Sequence, residues 1–210
     1  MFDISKILVL APHTDDGELG CGGSIAKFCS QGINVYYAAF SLCQQSLPPG
    51  FSKDTLQQEC KKATAVLGIP AKNIFFFDFE VRNFPASRQE ILETMVKLNR
   101  DMEPDLVLLP SSSDIHQDHA VIHAEGLRAF KHSSLLGYEL PWNQTTFHST
   151  FLIKLSKNDL DKKAESLKAY TSQSKKNYMQ EDFARSLAKV RGVQAGADYA
   201  EAFEMYKMIS

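Results

Sequence analysis

The sequence contains no hydrophobic run long enough to cross a bilayer. Runs such as 7–12 and 106–110 fall far short of the roughly 20 apolar residues that a membrane helix needs. An excess of positive charge is also missing: 23 lysines and arginines against 25 aspartates and glutamates give a net charge of -2. We therefore expect no nucleic-acid partner and no membrane insertion. The first residues lack the basic start and cleavage site of a signal peptide, so the expected location is the cytoplasm.

Cysteine is scarce, and the four cysteines form no CxxC pair. A chain of 210 residues can bury a proper core without disulfides, so we expect reduced thiols in a cytosolic setting. Internal repeats, low-complexity tracts and Pro/Gly-rich linkers are absent as well. We therefore predict a single domain over residues 1–210.

The first two thirds of the chain alternate between strand-like and helix-like segments. The continuous apolar run at 6–11 is typical of a strand buried on both faces. Further strands are predicted at 34–40, 74–77 and 105–109, and segments with helical spacing and glycine stop signals lie between them. This order predicts an α/β fold that is Rossmann-like: a mostly parallel sheet with helices on both faces, in a three-layer sandwich.

The last third departs from that alternation. Two strands without an intervening helix are predicted at 137–140 and 146–155. Helices are predicted over 159–170, 183–190 and 199–208, and Ser156 and Asp159 have capping-box spacing for the first of them.

Two polar segments follow predicted strands, His13-Thr14-Asp15-Asp16 and His116-Gln117-Asp118-His119. Ligands of open α/β sheets bind beyond the carboxyl ends of the strands, so we expect both segments at one edge of the sheet. Two imidazoles and a carboxylate suit zinc, and three protein ligands with a water form its catalytic arrangement. A nearby free carboxylate could take a proton from that water, and a histidine could protonate a leaving amine or stabilise an oxyanion.

Simpler readings of these segments exist. An HxxH pair is common in polar loops, and two aspartates before a helix often serve only as a cap. The glycine-rich stretch at 20–23 lacks the GxGxxG pattern, and acidic residues precede it, so a nucleotide site is not favoured.

The stretch PHTDDGELGCGGSI at 12–25 resembles the PHPDDE-ELGCGG-type signature of the LmbE-like, or PIG-L, family of zinc-dependent N-deacetylases. The segment at 116–119 resembles the HxDH motif of that family. Further similarity extends the resemblance over nearly the whole chain, at Glu59 with Leu67-Gly68, at Ser172-Gln173, and at Arg191-Gly192 with 199–203.

The resemblance implies that His13, Asp16 and His119 bind one Zn²⁺ per chain, although such a site accepts other divalent metals. It implies Asp15 as the general base. It also implies that His116, with Asp118 as its partner, stabilises the oxyanion or acts as general acid.

The implied reaction is hydrolysis: zinc-activated water removes the acetyl group from an N-acetylated amino sugar of the N-acetylglucosamine type, free or conjugated. The implied partner is this small-molecule sugar. Oligomers are common in the family, so a homo-oligomer is left open.

Three positions depart from the family pattern. Thr14 replaces a proline, and Gly17 replaces a glutamate, which would loosen the loop or make room for substrate. Leu56 stands where relatives often have an arginine that contacts substrate. The candidates to bind substrate are Arg82, Arg88, Trp142 and Arg191. The alternative for Arg82 and Arg88 is a solvated surface role, and for Trp142 a core or interface role.

Two other functions remain open. An amidase acting on a non-sugar or thiol conjugate, of the mycothiol or bacillithiol kind, would use the same chemistry and differ only in its pocket. A non-catalytic ligand-binding protein on the same fold is less favoured, because Asp15 would then have no role.

Overall fold

The computed structural model describes residues 4–209, in which seven strands form one sheet. The strands are β1 (Lys6–Ala11), β2 (Asn34–Ala39), β3 (Ile74–Phe76), β4 (Leu106–Pro110), β5 (Ser134–Tyr138), β6 (Phe151–Leu155) and β7 (Tyr199–Lys207). The α-helices are α1 (Asp16–Ser30), α2 (Thr55–Leu67), α3 (Arg88–Met102), α4 (Gln117–Ala129), α5 (Lys157–Lys168) and α6 (Glu181–Ala195).

The strand order is β3-β2-β1-β4-β5-β7-β6. The first five strands are parallel, and β7 runs antiparallel to both β5 and β6. The order reverses direction between β1 and β4, which are direct neighbours. Such a switch point opens a crevice at the carboxyl ends of the strands, where α/β proteins bind their ligands.

The side chains of β1 divide between two hydrophobic cores. Ile7 and Val9 belong to the core that also contains residues of α1, α2 and α5. Leu8 and Leu10 belong to the core with residues of α3 and α4. Because helices cover both faces, β1 is apolar and buried from Ile7 to Ala11. This arrangement confirms the predicted α/β fold, a mostly parallel sheet between two helical layers.

Local sequence signals set several helix ends. Gly68, at φ 99°, caps α2 in the left-handed conformation that favours glycine. The predicted capping box is present: the Ser156 hydroxyl accepts the backbone N–H of Asp159, whose carboxylate accepts the N–H of Ser156. The four cysteines are free thiols. Within residues 4–209, no helix combines the length and the hydrophobicity that a membrane crossing requires.

The prediction of a helix over 199–208 is wrong, because this segment is β7. Its apolar residues Tyr199, Ala202, Phe203 and Tyr206 recur at helical spacing, which explains the error. In the structure the segment lies between β5 and β6, and residues 200–203 are all buried. The hydrogen bonds to both neighbouring strands, which local spacing does not reveal, decide its conformation.

Candidate metal centre

The carboxyl ends of β1 and β4 bring the two polar segments together. His13 lies in the loop after β1, and Asp16 is the first residue of α1. His119 lies in the first turn of α4. The backbone N–H of His13 donates to Asp16 Oδ2 at 2.8 Å, which turns this carboxylate towards the loop. The predicted convergence of the two segments is therefore present in the structure.

Three donor atoms form a nearly equilateral triangle. His13 Nδ1 lies 3.1 Å from Asp16 Oδ2, and His119 Nε2 lies 3.2 Å from the same oxygen. The two imidazole nitrogens are 3.2 Å apart. Zinc bonds to such atoms at roughly 2.0–2.1 Å, so neighbouring ligands of a tetrahedral ion are separated by about 3.3 Å. The spacing and chemistry of these donors therefore fit a tetrahedral ion with one open position.

His116 offers a second way to complete a donor set, because nitrogens of His13, His116 and His119 lie within 4.8 Å of one another. We favour the set with Asp16, since its contacts are shorter and Nδ1 of His116 already accepts the backbone N–H of Asp118 at 3.1 Å. This hydrogen bond leaves the proton of a neutral His116 ring on Nε2.

The charges at the triangle support the same set. Burial opposes ionisation of Asp16, but the charges and hydrogen bonds of His119 and His13 outweigh it and lower its pKa. Burial likewise disfavours the charged form of His119, yet Asp16 and Asp114 raise its pKa to about 10. The buried carboxylate thus stabilises positive charge strongly at the point where a cation would sit.

Two further carboxylates orient the imidazoles. Asp118 Oδ2 lies 2.9 Å from His13 Nε2, and Asp114 Oδ2 lies 2.7 Å from His119 Nδ1. Each contact leaves the other ring nitrogen facing Asp16, as in carboxylate–histidine–metal arrangements.

The position of Asp118 corrects one expectation. Its carboxylate was expected beside His116, but it contacts His13 and accepts the backbone N–H of Arg82 at 2.6 Å. The reason is local: His116 is the N-cap of α4, so Asp118 meets the His116 ring only through its backbone. The motif does not include Asp114. Its position gives only one signal in the sequence: Asp114 is an acidic residue two positions before His116, in a loop after a strand.

Asp15 lies beside the triangle without belonging to it. It occupies the N-cap position of α1, yet its side chain makes no capping hydrogen bond. Within residues 4–209 its carboxylate has no ion-pair or hydrogen-bonding side-chain partner, and it lines the adjacent cavity. Burial and the charge of Asp16 raise the pKa of Asp15, although Lys176 and His13 oppose them.

A buried hydrogen-bond network supports the loop from behind. Tyr37 donates to the carbonyl of Thr14 at 3.1 Å, and Tyr170 donates to Glu18 Oε1 at 2.8 Å. A Cβ atom at Gly17 would lie 2.5 Å from the ring of Tyr37. The ring of Tyr37 therefore occupies the space that a glutamate side chain at position 17 would need, and this space does not serve the substrate.

A cavity of about 300 Å³ opens beside the triangle, a volume at the lower end of small-molecule sites. Asp15, His116, Arg82 and Trp142 line it. Arg82, at φ 66°, is one of the three non-glycine residues with positive φ in residues 4–209. Strained backbone of this kind persists where surrounding contacts hold it, here the bond from the Arg82 N–H to Asp118.

Two of the four predicted substrate-binding residues lie elsewhere. Arg88 does not line the cavity, because its guanidinium pairs with the buried carboxylate of Glu125. Arg191 does not line it either, because two of its nitrogens bond to Glu139, with Nε at 2.9 Å from Oε2. In the structure both guanidinium groups form ion pairs within the protein.

Trp142 reaches the cavity, but its ring stacks on Tyr178 with centroids 4.1 Å apart and planes 9° apart. One face of the indole is therefore covered by a protein side chain.

Sequence reasoning missed Lys176 and Tyr178, which line the cavity from a segment between α5 and α6. Neither residue belongs to a motif, so only its place in the fold reveals it.

Known proteins resemble this chain in sequence and in fold. The family model described as PIG-L: GlcNAc-PI de-N-acetylase matches residues 8–130. The diacetylchitobiose deacetylase of Thermococcus kodakarensis is 25% identical, over 95% of this chain and 82% of that protein.

Two solved structures share the fold. The N,N'-diacetylchitobiose deacetylase of Pyrococcus horikoshii aligns with a TM-score of 0.80 at 20% identity, over 97% of this chain and 84% of that one. The 4-carboxy-2-hydroxymuconate hydratase of Pseudomonas putida KT2440 aligns with a TM-score of 0.82 at 19% identity, over 99% and 98%. Because one of these proteins is a deacetylase and the other a hydratase, the fold alone does not select the reaction.

Proposed function

Because the chain belongs to the PIG-L family, we propose that it is a metal-dependent hydrolase that removes the acetyl group from an N-acetylated amino sugar of the N-acetylglucosamine type, free or conjugated. The observation that carries the proposal is the triangle of His13 Nδ1, Asp16 Oδ2 and His119 Nε2, with sides of 3.1, 3.2 and 3.2 Å. The description of the family and the deacetylase of Thermococcus kodakarensis support the choice of reaction and of sugar.

His13, Asp16 and His119 would hold one divalent ion per chain, and their N, O and N donors favour zinc. When bound, this ion would supply a Lewis acid that lowers the pKa of water and polarises the amide carbonyl. Asp118 and Asp114 keep the two imidazoles in the tautomers that this role requires.

Asp15 is the general base of the proposed reaction. Its carboxylate faces the cavity and is free to accept a proton from the attacking water. Burial and the charge of Asp16 raise its pKa, which increases its affinity for that proton. It later passes the proton towards the leaving amine.

His116 stabilises the oxyanion in this proposal. Its Nδ1 accepts the N–H of Asp118, so its Nε2–H is available to donate to the acyl oxygen as negative charge develops. Burial, followed by the charges of His119 and His13, lowers the pKa of His116 and keeps the ring neutral. A neutral imidazole can donate a hydrogen bond to an oxyanion, but it is a poor acid for the protonation of an amine. We therefore assign His116 to the oxyanion.

The proposal treats residues 1–210 as one catalytic domain. Strands from the segment matched by the family and from the last third of the chain belong to the same sheet, which supports a single unit. We also propose a cytoplasmic location, because free thiols persist in reducing compartments.

A substrate panel tests the proposed function. The protein is loaded with zinc and incubated with N-acetylglucosamine, N,N'-diacetylchitobiose, N-acetylated amino acids and N-acetylated thiol conjugates, and the release of amine is measured. We expect release from the sugars, loss of release with a chelator, and recovery with zinc. Release from the amino-acid or thiol conjugates alone would instead establish the amidase alternative. No release from any compound by zinc-loaded protein would favour a non-catalytic binding protein.

A further inference from the structure

The loop that carries Asp114 is attached to the last strand of the sheet. The backbone N–H of Ser112 donates to Glu204 Oε2 at 2.9 Å, and the Ser112 hydroxyl donates to Glu204 Oε1 at 2.8 Å. The hydroxyl of Tyr206 accepts the same N–H at 2.7 Å and itself donates to Glu204. Among residues 4–209, the side-chain hydrogen bonds of Glu204 come only from Ser112 and Tyr206. The carboxylate on β7 therefore serves to hold one residue of this loop.

The charge of Glu204 strengthens the attachment. Burial opposes the ionisation of Glu204, but the hydrogen bonds from Tyr206 and Ser112 outweigh it and lower its pKa. The carboxylate is therefore charged at neutral pH, and hydrogen bonds to a charged acceptor are roughly twice as strong as those between neutral groups. Two such bonds hold Ser112 although this loop residue is exposed to solvent.

The neighbouring elements leave room for this contact and support it. Gly137 lies in β5, between β4 and β7, and a Cβ atom there would lie 2.7 Å from the Tyr206 hydroxyl and 2.9 Å from the Cα atom of Ser111. From α4, the ring of His123 meets that of Tyr206 edge-on, with centroids 5.1 Å apart. His123 Nδ1 donates to the carbonyl of Pro110 at 2.9 Å, since a carbonyl can only accept. Both β7 and α4 are thus attached to the carboxyl end of β4.

The loop connects this attachment to the donor triangle over a short distance. Asp114 follows Ser112 by two positions, and its Oδ2 lies 2.7 Å from His119 Nδ1. Asp114 also pairs with Gln144 in an isolated antiparallel bridge. The carboxylate that orients His119 therefore lies between two points at which the loop is held, and Glu204 holds the point nearer to β4.

We propose that Glu204 is a positioning residue of the metal centre: it fixes Ser112, and through Asp114 it fixes the imidazole of His119. The proposal rests on the proposed function, since it takes His119 as a metal ligand, and it adds a residue of β7 that lies outside both motifs. Ligands of a metal must be held within about 0.5 Å of their productive positions by the residues behind them. Zinc affinity should therefore fall when the contact between β7 and the loop is removed.

Zinc affinity tests the proposal without any turnover. Competition with a chromogenic chelator is measured for the wild type, Glu204→Ala and Glu204→Gln. We expect Glu204→Ala to bind zinc about tenfold more weakly, the lower end of the effect of a group behind a ligand. Glu204→Gln retains an acceptor for the N–H of Ser112 and should retain most of the affinity. Equal affinities of Glu204→Ala and the wild type would overturn the proposal.

A control variant separates positioning from a general loss of stability. Arg191→Met breaks the ion pair with Glu139, which makes no contact with the loop. This variant should be destabilised but should bind zinc as tightly as the wild type. A loss of zinc affinity in Arg191→Met as large as that in Glu204→Ala would show that any destabilisation weakens the metal site, and would refute the special role of Glu204.

A double-mutant cycle tests the route through Asp114. If Glu204 acts by positioning this carboxylate, Glu204→Ala should change zinc affinity by no more than about twofold in a protein that already contains Asp114→Asn. Additive losses would show that Glu204 acts by another route, and the assignment would be wrong. Tyr206→Phe repeats the test without altering Glu204: it removes one acceptor of the Ser112 N–H and should lower the affinity by a smaller factor that also disappears with Asp114→Asn.

The outcomes for the positioning role and for the proposed function are distinct. If the Glu204 and Tyr206 variants weaken zinc binding as expected but no sugar is deacetylated, the proposed function fails while the positioning role stands. If sugars are deacetylated and neither variant changes zinc affinity, the positioning role fails while the proposed function stands.

Discussion

Asp114 Oδ2 lies 2.7 Å from Nδ1 of His119, on the opposite side of the imidazole from the cavity. The other nitrogen of that ring, Nε2, lies 3.2 Å from Asp16 Oδ2. Asp114 therefore orients the imidazole so that its free nitrogen faces Asp16. Both Asp114 and His119 are buried, and the contact therefore holds the ring in one tautomer.

The first prediction concerns this pair. Asp114→Asn should weaken zinc affinity by about 10–100-fold, the usual cost of losing a carboxylate behind a ligand histidine. Competition with a chromogenic chelator measures the affinity. Asp198→Asn is a matched control, since that side chain is 89% exposed. Unchanged affinity in Asp114→Asn would mean that Asp114 serves only to shape the loop.

The second prediction separates Asp15 from its neighbour Asp16. Asp15→Asn should retain one zinc per chain but lower kcat by about 10²–10⁴-fold, because the proton acceptor is lost. Asp16→Asn, which alters a member of the donor triangle, should instead lose metal. Metal content and amine release are measured on the same samples. Normal turnover by metal-loaded Asp15→Asn would rule out Asp15 as the base.

The third prediction concerns Glu18, whose carboxyl group is completely buried. Burial raises its pKa from 4.5 to about 8, although hydrogen bonds from Tyr37 and Tyr170 oppose the shift. Between these two pH values the unfolded chain has lost the proton and the folded chain retains it. The contribution of Glu18 to stability is therefore fully present below pH 4.5 and declines as the pH rises to about 8.

Denaturation of the metal-free protein at several pH values tests this decline. Glu18→Gln keeps the neutral shape of the group and should remove a fall in stability of at most about 1.4 kcal/mol per pH unit. The exposed Glu165→Gln is the control and should follow the wild type. Parallel pH profiles for the wild type and Glu18→Gln would show that Glu18 is ionised in the folded protein.

The fourth prediction concerns Arg191, which the sequence suggested as a substrate contact. Its side chain is 15% exposed and is paired with that of Glu139, 7% exposed. Arg191→Met leaves a largely buried carboxylate without its partner and should lower the free energy of unfolding by about 3 kcal/mol. KM should not change. A large rise in KM with normal stability would restore the substrate role.

The parts of the structure that local patterns encode were predictable. The apolar run of β1 matches its observed bounds, Lys6–Ala11, because burial on both faces leaves a continuous signal in the sequence. The two polar segments were placed correctly at one sheet edge, since parallel neighbouring strands end there. In both cases neighbouring residues carry the information.

The features that depend on contacts distant in sequence were not predictable. The conformation of β7 is decided by pairing with β5 and β6, and helical spacing misrepresented it. Arg88 pairs with a residue 37 positions away in the sequence, and Arg191 with one 52 positions away, so no local pattern predicts these ion pairs. Lys176 likewise lies over the ring of Tyr178, which stacks on a tryptophan of another segment, and no local pattern predicts this contact.

The central claim is that the triangle of His13, Asp16 and His119 holds a metal ion on which acetyl release depends. The most direct measurement is the zinc content and the acetate released from N-acetylated sugars, determined on the same samples of the wild type and His119→Ala. The account predicts one zinc per chain and acetate release for the wild type, and loss of both in the variant. Undiminished acetate release by zinc-free His119→Ala would contradict it.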